Sequence, residues 1–137
     1  MASSNQYLAY FLLRLILGLN FTMHGLSRLL SGVDTFVEGM VKGFQGTVLP
    51  ESLVRPFGHG LVFVEFGLGI LLMLGLFTRF AAVAGALVIM ALIFGSGLQQ
   101  KWDAVSTQMI YAVFFFLVLH FLENNRYSLD GYRSRKS

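Results

Sequence analysis

The chain has 137 residues, of which 55% are apolar and 12% charged, with a net charge of +3 and no cysteine. A soluble domain of this length carries about twice that share of charge and cannot hide so much apolar surface, so disorder, a coiled coil and an ordinary soluble enzyme are excluded and an integral membrane protein remains. Without cysteine there is no disulfide framework, thiolate zinc site, c-type haem attachment or cysteine-held iron–sulfur cluster, and the small positive charge bears on topology rather than on nucleic acid.

The expected fold is all-α: a single membrane domain over residues 1–137, with four transmembrane helices in a bundle and a short amphipathic helix between the first and second. The first span covers residues 7–30, enough at about 1.5 Å per residue to cross a hydrocarbon layer of about 30 Å. The segment before Tyr7 has no lysine or arginine, Arg14 interrupts the apolar run, and no A-x-A site follows, which argues against a cleaved signal peptide. In the long link that comes next, Val33, Phe36, Val37, Met40, Val41 and Phe44 recur at helical spacing, with Asp34, Glu38 and Lys42 on the opposite side. This predicts a helix lying on the membrane surface or capping the bundle, its apolar row offered to a partner or to the lipid boundary. Gly43, Gly46 and Pro50 end it, and Pro56 is expected in the first turn of the second span, residues 56–76, where its missing N–H costs nothing. Thr78 and Arg79 form almost the whole link to the third span, residues 80–98. The fourth covers residues 103–122. None of these runs shows the alternation of a membrane strand, and backbone polar groups in lipid must bond internally, so all four are helices.

Four spans put both termini on one side. That side holds Arg14, Arg79, Arg126, Arg133, Arg135 and Lys136, against Arg28, Lys42, Arg55 and Lys101 on the other. The bias predicts cytoplasmic termini, with Tyr7, Tyr10 and Tyr127 in the inner aromatic belt and Trp102 in the outer one.

An ionisable side chain inside a span costs about 2.5–3.5 kcal/mol on insertion scales, so such residues carry the information. Asn20, His24 and Arg28 recur every four residues on one face of the first helix, and Glu65 lies at similar depth in the second. An antiparallel neighbour brings Glu65 against His24 or Arg28. That cluster suits either a ligand or proton-handling site, with a quinone carbonyl or an anion on the cations, or an ion pair that fixes helix register. Arg14, His120 and Glu123 belong to the opposite half, where Arg14 is expected to snorkel to the interface or to pair with Glu123. His24 and His120 lie too far apart in depth for a bis-histidine haem, His24 with His59 has no supporting motif, and no metal site is expected. Gly18 and Gly25 in the first helix, and Ala81 and Gly85 in the third, supply small surfaces for close packing.

The stretch from Arg14 to Leu29, RLILGLNFTMHGLSRL, resembles the first-helix signature of DoxX-like membrane proteins in Arg14, Gly18, His24, Gly25 and Arg28. Arg28 stands where lysine is common. The stretch from Glu65 to Ala82 is similar to the family's glutamate, glycines and threonine–arginine turn, and the resemblance covers most of residues 7–122. It implies a four-helix protein of the bacterial or archaeal plasma (inner) membrane, linked to redox complexes, with no covalently bound cofactor and a quinone as the group it meets. The lipid bilayer and other protein subunits, or further copies of the chain, are the partners it implies, and nucleic acid is not among them. It marks His24, Arg28 and Glu65 and leaves two roles open: a quinone-interacting redox subunit, whose status as an enzyme is undecided, or a non-catalytic anchor or scaffold that stabilises a partner complex.

Overall fold

The computed structural model describes residues 3–136. Six helices follow in order: α1 (Ser4–Ser31), α2 (Val33–Phe44), α3 (Glu51–Leu74), α4 (Thr78–Leu98), α5 (Trp102–His120) and α6 (Leu129–Ser134), with a 3-10 turn at Leu122–Asn124. Among the described residues, α1, α3, α4 and α5 are long and apolar enough to cross a membrane. They form the four-helix bundle that the apolar runs foretell, and α2 occupies the expected segment.

Helix α1 starts on a capping box, in which Ser3 and Gln6 satisfy each other's backbone N–H groups. It runs antiparallel to α3, and the two approach closely because small residues face each other. A Cβ on Gly18 would stand 2.7 Å from the Met73 nitrogen, and one on Gly69 would stand 2.8 Å from the Gly18 oxygen. Only hydrogen fits at these positions, which lets the two backbones touch. Tyr10, Leu17, Phe21, Leu68, Leu72, Ile89 and Phe115 join α1, α3, α4 and α5 in one core, with the Phe21 and Phe115 rings edge to face at 5.2 Å.

Three details depart from the sequence reading. Helix α3 begins at Glu51, with Pro50 as its N-cap residue, so Pro56 lies inside the helix rather than in its first turn. The carbonyl it deprives of a partner, that of Ser52, belongs to an exposed residue at the helix mouth, where water can serve it. The apolar row of α2 is not a free surface. Val37 and Val41 are buried with Val54 of α3, and Phe36, Met40 and Phe44 pack around them, so α2 spends its row covering the mouth of α3. Tyr10 is no belt residue either. It is buried, and its hydroxyl donates to the Val118 oxygen at 2.9 Å, tying α1 to α5.

The α3–α4 turn is tight. Gly75 takes the left-handed conformation, φ 64°, and the Leu76 N–H closes on the Leu71 oxygen at 3.0 Å. A side chain there would be strained by φ and would also meet Arg14 Nη1 at 2.6 Å. Phe77 is left-handed as well, φ 49°, and carries no capping side chain of its own. The cap comes from the far end of the chain. Asp130 accepts the Phe77 and Thr78 N–H groups at 2.9 and 2.8 Å, and its own N–H donates to the Gly75 oxygen at 2.9 Å. Asn125 adds a bond from Nδ2 to Thr78 Oγ1 at 2.9 Å. The segment after α5 is therefore strapped across the α3–α4 turn.

Candidate functional site

The ionisable residues of the spans fall into two groups, one at each end of the bundle. At the end away from the termini, Arg28 Nη1 donates to Glu65 Oε2 across the α1–α3 seam. Glu65 is 4% exposed, so its charge is met by a fixed partner rather than by water. The Arg28 guanidinium also lies over the Phe36 ring of α2, 4.2 Å from its centroid. Three helices thus share this pair. His24 stands on the same face of α1 but is exposed. Its Nδ1 contacts the Asn20 oxygen at 2.9 Å, and its ring meets Tyr111 of α5 edge-on at 6.3 Å. Asn20 Nδ2 reaches the Tyr111 hydroxyl at 3.5 Å, and Asn20 Oδ1 is buried without a partner. Asn20, His24, Arg28 and Glu65 are therefore neighbours, but only Arg28 and Glu65 form an ion pair.

Further out, Arg55 donates to Glu38 of α2 and to Glu51, and His59 Nε2 meets Asp34 at 3.1 Å. The hydrogen bond from Arg55 holds the Glu38 carboxyl below the usual carboxylate range, with Coulomb attraction adding to it. These exposed contacts pin α2 onto α3.

At the end that carries the termini, Arg14 neither snorkels nor pairs with Glu123. It is 1% exposed and donates to the oxygens of Leu72, Met73 and Tyr127, the last two at 3.0 and 2.7 Å. The final carbonyls of α3 carry the negative end of its dipole and lack helical partners, so a buried guanidinium fits there better than at a carboxylate in water. His120 stacks on Phe116 with ring centroids 5.4 Å apart and meets Phe121 edge-on, and Glu123 is exposed beside it. No group of three or more His, Asp or Glu suited to hold a metal occurs among the described residues.

A cavity of about 680 Å³ opens under α2, between the first turns of α3 and the last turns of α4. Its walls are mostly apolar and aromatic, with Phe36, Phe44, Phe57 and Phe94 among them; Ser96, Gln99 and Lys101 form a polar edge, and Thr35 of α2 adds a hydroxyl-bearing residue. Gln99 Oε1 is buried there without a partner. Ser96 Oγ accepts from Gln108 Nε2 at 2.9 Å, which leaves its own proton free to donate. Glu65 does not line this cavity, but Phe36 belongs both to its wall and to the Arg28 contact. Attention to charged groups within the spans passed over Ser96, Gln99 and Lys101. The signal for them was uncharged polar residues near the end of the third apolar run, Ser96 and the Gln99–Gln100 pair, directly followed by a lysine.

Four membrane-length helices, a cover helix on one end and a strap on the other define a small polytopic membrane protein. The sequence profile of the DoxX family matches residues 9–98, from the second turn of α1 to the last residue of α4, and the chain belongs to that family. The match takes in Arg14, Asn20, His24, Arg28 and Glu65. It leaves α5 and the strap outside, a shorter stretch than the resemblance read through residue 122. No curated protein and no solved structure matches the chain.

Proposed function

We propose that this chain is a plasma-membrane subunit of a redox-linked assembly, with both termini cytoplasmic, and that it receives the ring of a lipid-soluble quinone in the cavity beneath α2. The observation that carries the reading is the cavity itself. Its volume lies within the usual range for small-molecule sites, its phenylalanine-rich walls suit a flat ring, and its polar edge at Ser96, Gln99 and Lys101 suits the ring's oxygens. The residues present fit the group: Lys101 Nζ and the Ser96 hydroxyl can donate to carbonyl oxygens, and the orphaned Gln99 Oε1 can accept from a hydroxyl on the reduced ring. A bound quinone supplies the capacity to carry two electrons and two protons, which no side chain of this cysteine-free protein does. The chain's own part is to orient the ring, exclude water and hold the cover helix in place through Arg55 and through the Arg28–Phe36–Glu65 contact. A complete redox reaction then needs a partner subunit with its own electron carrier.

The second reading, a non-catalytic anchor or scaffold, is favoured by one observation. Glu65 is sealed against Arg28 and does not reach the cavity, as a register-fixing ion pair would be.

Trp102, the single tryptophan, sits next to Lys101 and two residues from Ala104, both in the cavity wall. Titrating detergent-purified protein with a short-chain ubiquinone analogue should quench its fluorescence saturably. Phe57→Gln should weaken the quenching about tenfold, the scale of losing one buried aromatic contact. Non-saturable quenching that is identical in the variant, with no quinone in the lipid extract of the purified protein, would leave the anchor reading. A periplasm-active reporter fused after the last residue should be silent if the termini are cytoplasmic.

A further inference from the structure

The strapped end of the bundle carries a second concavity whose chemistry differs from that of the cavity beneath α2. A cleft of about 620 Å³ lies between the start of α4, the 3-10 turn and α6, and Arg79, Arg126 and Arg135 line it. Two carboxylates share the lining, Glu123 and Asp130. Asp130 is already committed to the backbone N–H groups of Phe77 and Thr78, so its charge is met by the α4 N-terminus. Arg135 is anchored through Nε to the Gly131 oxygen and through Nη2 to the Arg126 oxygen, at 3.2 and 2.7 Å. Arg126 lies over the Tyr7 ring, 4.9 Å from its centroid. Among the described residues Arg79 forms no ion pair, and Arg133 of α6 and Lys136 just beyond it add two more cations.

A shallow depression of about 470 Å³ continues from this cleft and shares Arg79 and Asp130 with it. Its remaining walls are Phe77, Thr78, Phe80 and Val83. Phe80, Val83, Leu87 and Met90 are all exposed and recur at three- and four-residue spacing, so they make one stripe down α4. From Phe80 to Met90 the stripe covers about 15 Å, the depth of one leaflet of a hydrocarbon layer of about 30 Å. A basic cleft that leads into an apolar stripe of that length has the shape and polarity of a lipid, head and tail.

We propose that this cleft and stripe bind one anionic phospholipid, its phosphodiester headgroup between Arg79, Arg126 and Arg135 and one acyl chain along Phe80, Val83 and Leu87. A soluble phosphate offers the same headgroup chemistry but leaves the stripe without an occupant, which favours the lipid. Arginine suits the site because its planar fork grips two phosphate oxygens at once. The site is independent of the cavity beneath α2 and stands whether or not a quinone binds there.

The test is native mass spectrometry of the detergent-purified full chain with equimolar phosphatidylglycerol and phosphatidylcholine. Wild-type protein should retain phosphatidylglycerol in clear preference. Arg79→Gln should lower that retention about fivefold, the scale for one arginine at an anionic surface. Lys42→Gln, which removes the same charge at the opposite end, should leave it unchanged. Phe80→Gln should lower retention of the lipid without affecting inorganic phosphate, and millimolar inorganic phosphate should not displace the lipid. Equal retention of the two lipids, equal effects of Arg79→Gln and Lys42→Gln, or full displacement by inorganic phosphate would overturn the proposal. The comparison of the two lipids on wild-type protein needs no variant, and among the described residues Arg79 has no ion-pair partner whose loss would unfold one.

Discussion

Replacing Arg14 by methionine keeps most of the side-chain volume and removes the donors. Of the three carbonyls that Arg14 serves, the Leu72 oxygen keeps a partner, because the Gly75 N–H also reaches it at 3.2 Å. The Met73 and Tyr127 oxygens lose the guanidinium, at the end of α3 and in the strap respectively. Both oxygens are only partly buried and Tyr127 is an exposed residue, so water can serve them in part; at about 1–1.5 kcal/mol for each bond to a charged donor, the loss should be about 2–3 kcal/mol. Arg14→Lys should lose less, about 1–2 kcal/mol, because an ammonium can serve one or two of these oxygens but not all three in a plane. Unfolding in mixed micelles, followed by far-UV circular dichroism, measures the first quantity. Trypsin cleavage after Arg126 and Arg133 reads the second consequence, release of the strap, and should quicken in Arg14→Met. A methionine variant within about 1 kcal/mol of wild type, with its strap still protected, would refute the capping argument.

Three further outcomes follow from the packing. A double-mutant cycle of Arg28→Gln and Glu65→Gln should show a coupling of about 1–3 kcal/mol, and additive single effects would mean that the two side chains act separately. Gly69→Val should force α1 and α3 apart and cost more than about 2 kcal/mol by the same unfolding assay, whereas Gly67→Val, where a Cβ meets nothing within 4 Å, should cost much less. The Glu38–Arg55 contact has its own pH window. Since the folded pKa of Glu38 lies below the ordinary value, the contact is complete above that value and is lost as pH falls through the folded one. A carboxyl chemical-shift titration of Glu38 with its midpoint at or above the ordinary value would contradict the pair.

The sequence displayed the bundle because lipid allows few alternatives: runs of membrane length without alternation can only be helices, and the apolar period of residues 33–44 could only be amphipathic. It also put Glu65 against His24 or Arg28, since opposite charges at similar depth on antiparallel neighbours have a strong reason to meet, and the structure pairs it with Arg28. It hid Arg14's role because the partners are main-chain oxygens, and any residue supplies those. No side-chain pattern marks Leu72, Met73 or Tyr127 as acceptors. It hid the strap for a related reason. Leu129–Ser134 is too short and too polar for periodicity to register, and Asp130 becomes a cap only once the chain has folded back on a turn more than fifty positions earlier. The cavity was hidden because an empty space is a property of the packing of α2 against α3 and α4, which no single residue announces.

The two ends of the bundle are closed by different chemistry, and this bears on how a ligand could enter. Among the described residues, every ion pair at the α2 end stays within α1, α2 and α3: Arg28 with Glu65, Arg55 with Glu38 and Glu51, His59 with Asp34. Helices α4 and α5 are joined to each other there through Ser96 and Gln108, and α5 meets α1 through the long Asn20–Tyr111 contact of 3.5 Å. At the other end the two pairs of helices are tied together by Tyr10 on the Val118 oxygen, Arg14 on the Tyr127 oxygen and Asp130 on the α4 N-terminus. The cavity lies in the seam at the end that these ties do not reach. On the proposed reading, a ring that reaches this cavity would meet phenylalanine side chains there rather than an ion pair between the two pairs of helices. The strap, by contrast, cannot move without exposing the last carbonyls of α3 and the first N–H groups of α4, so the two pairs of helices are held together more firmly at that end than at the α2 end.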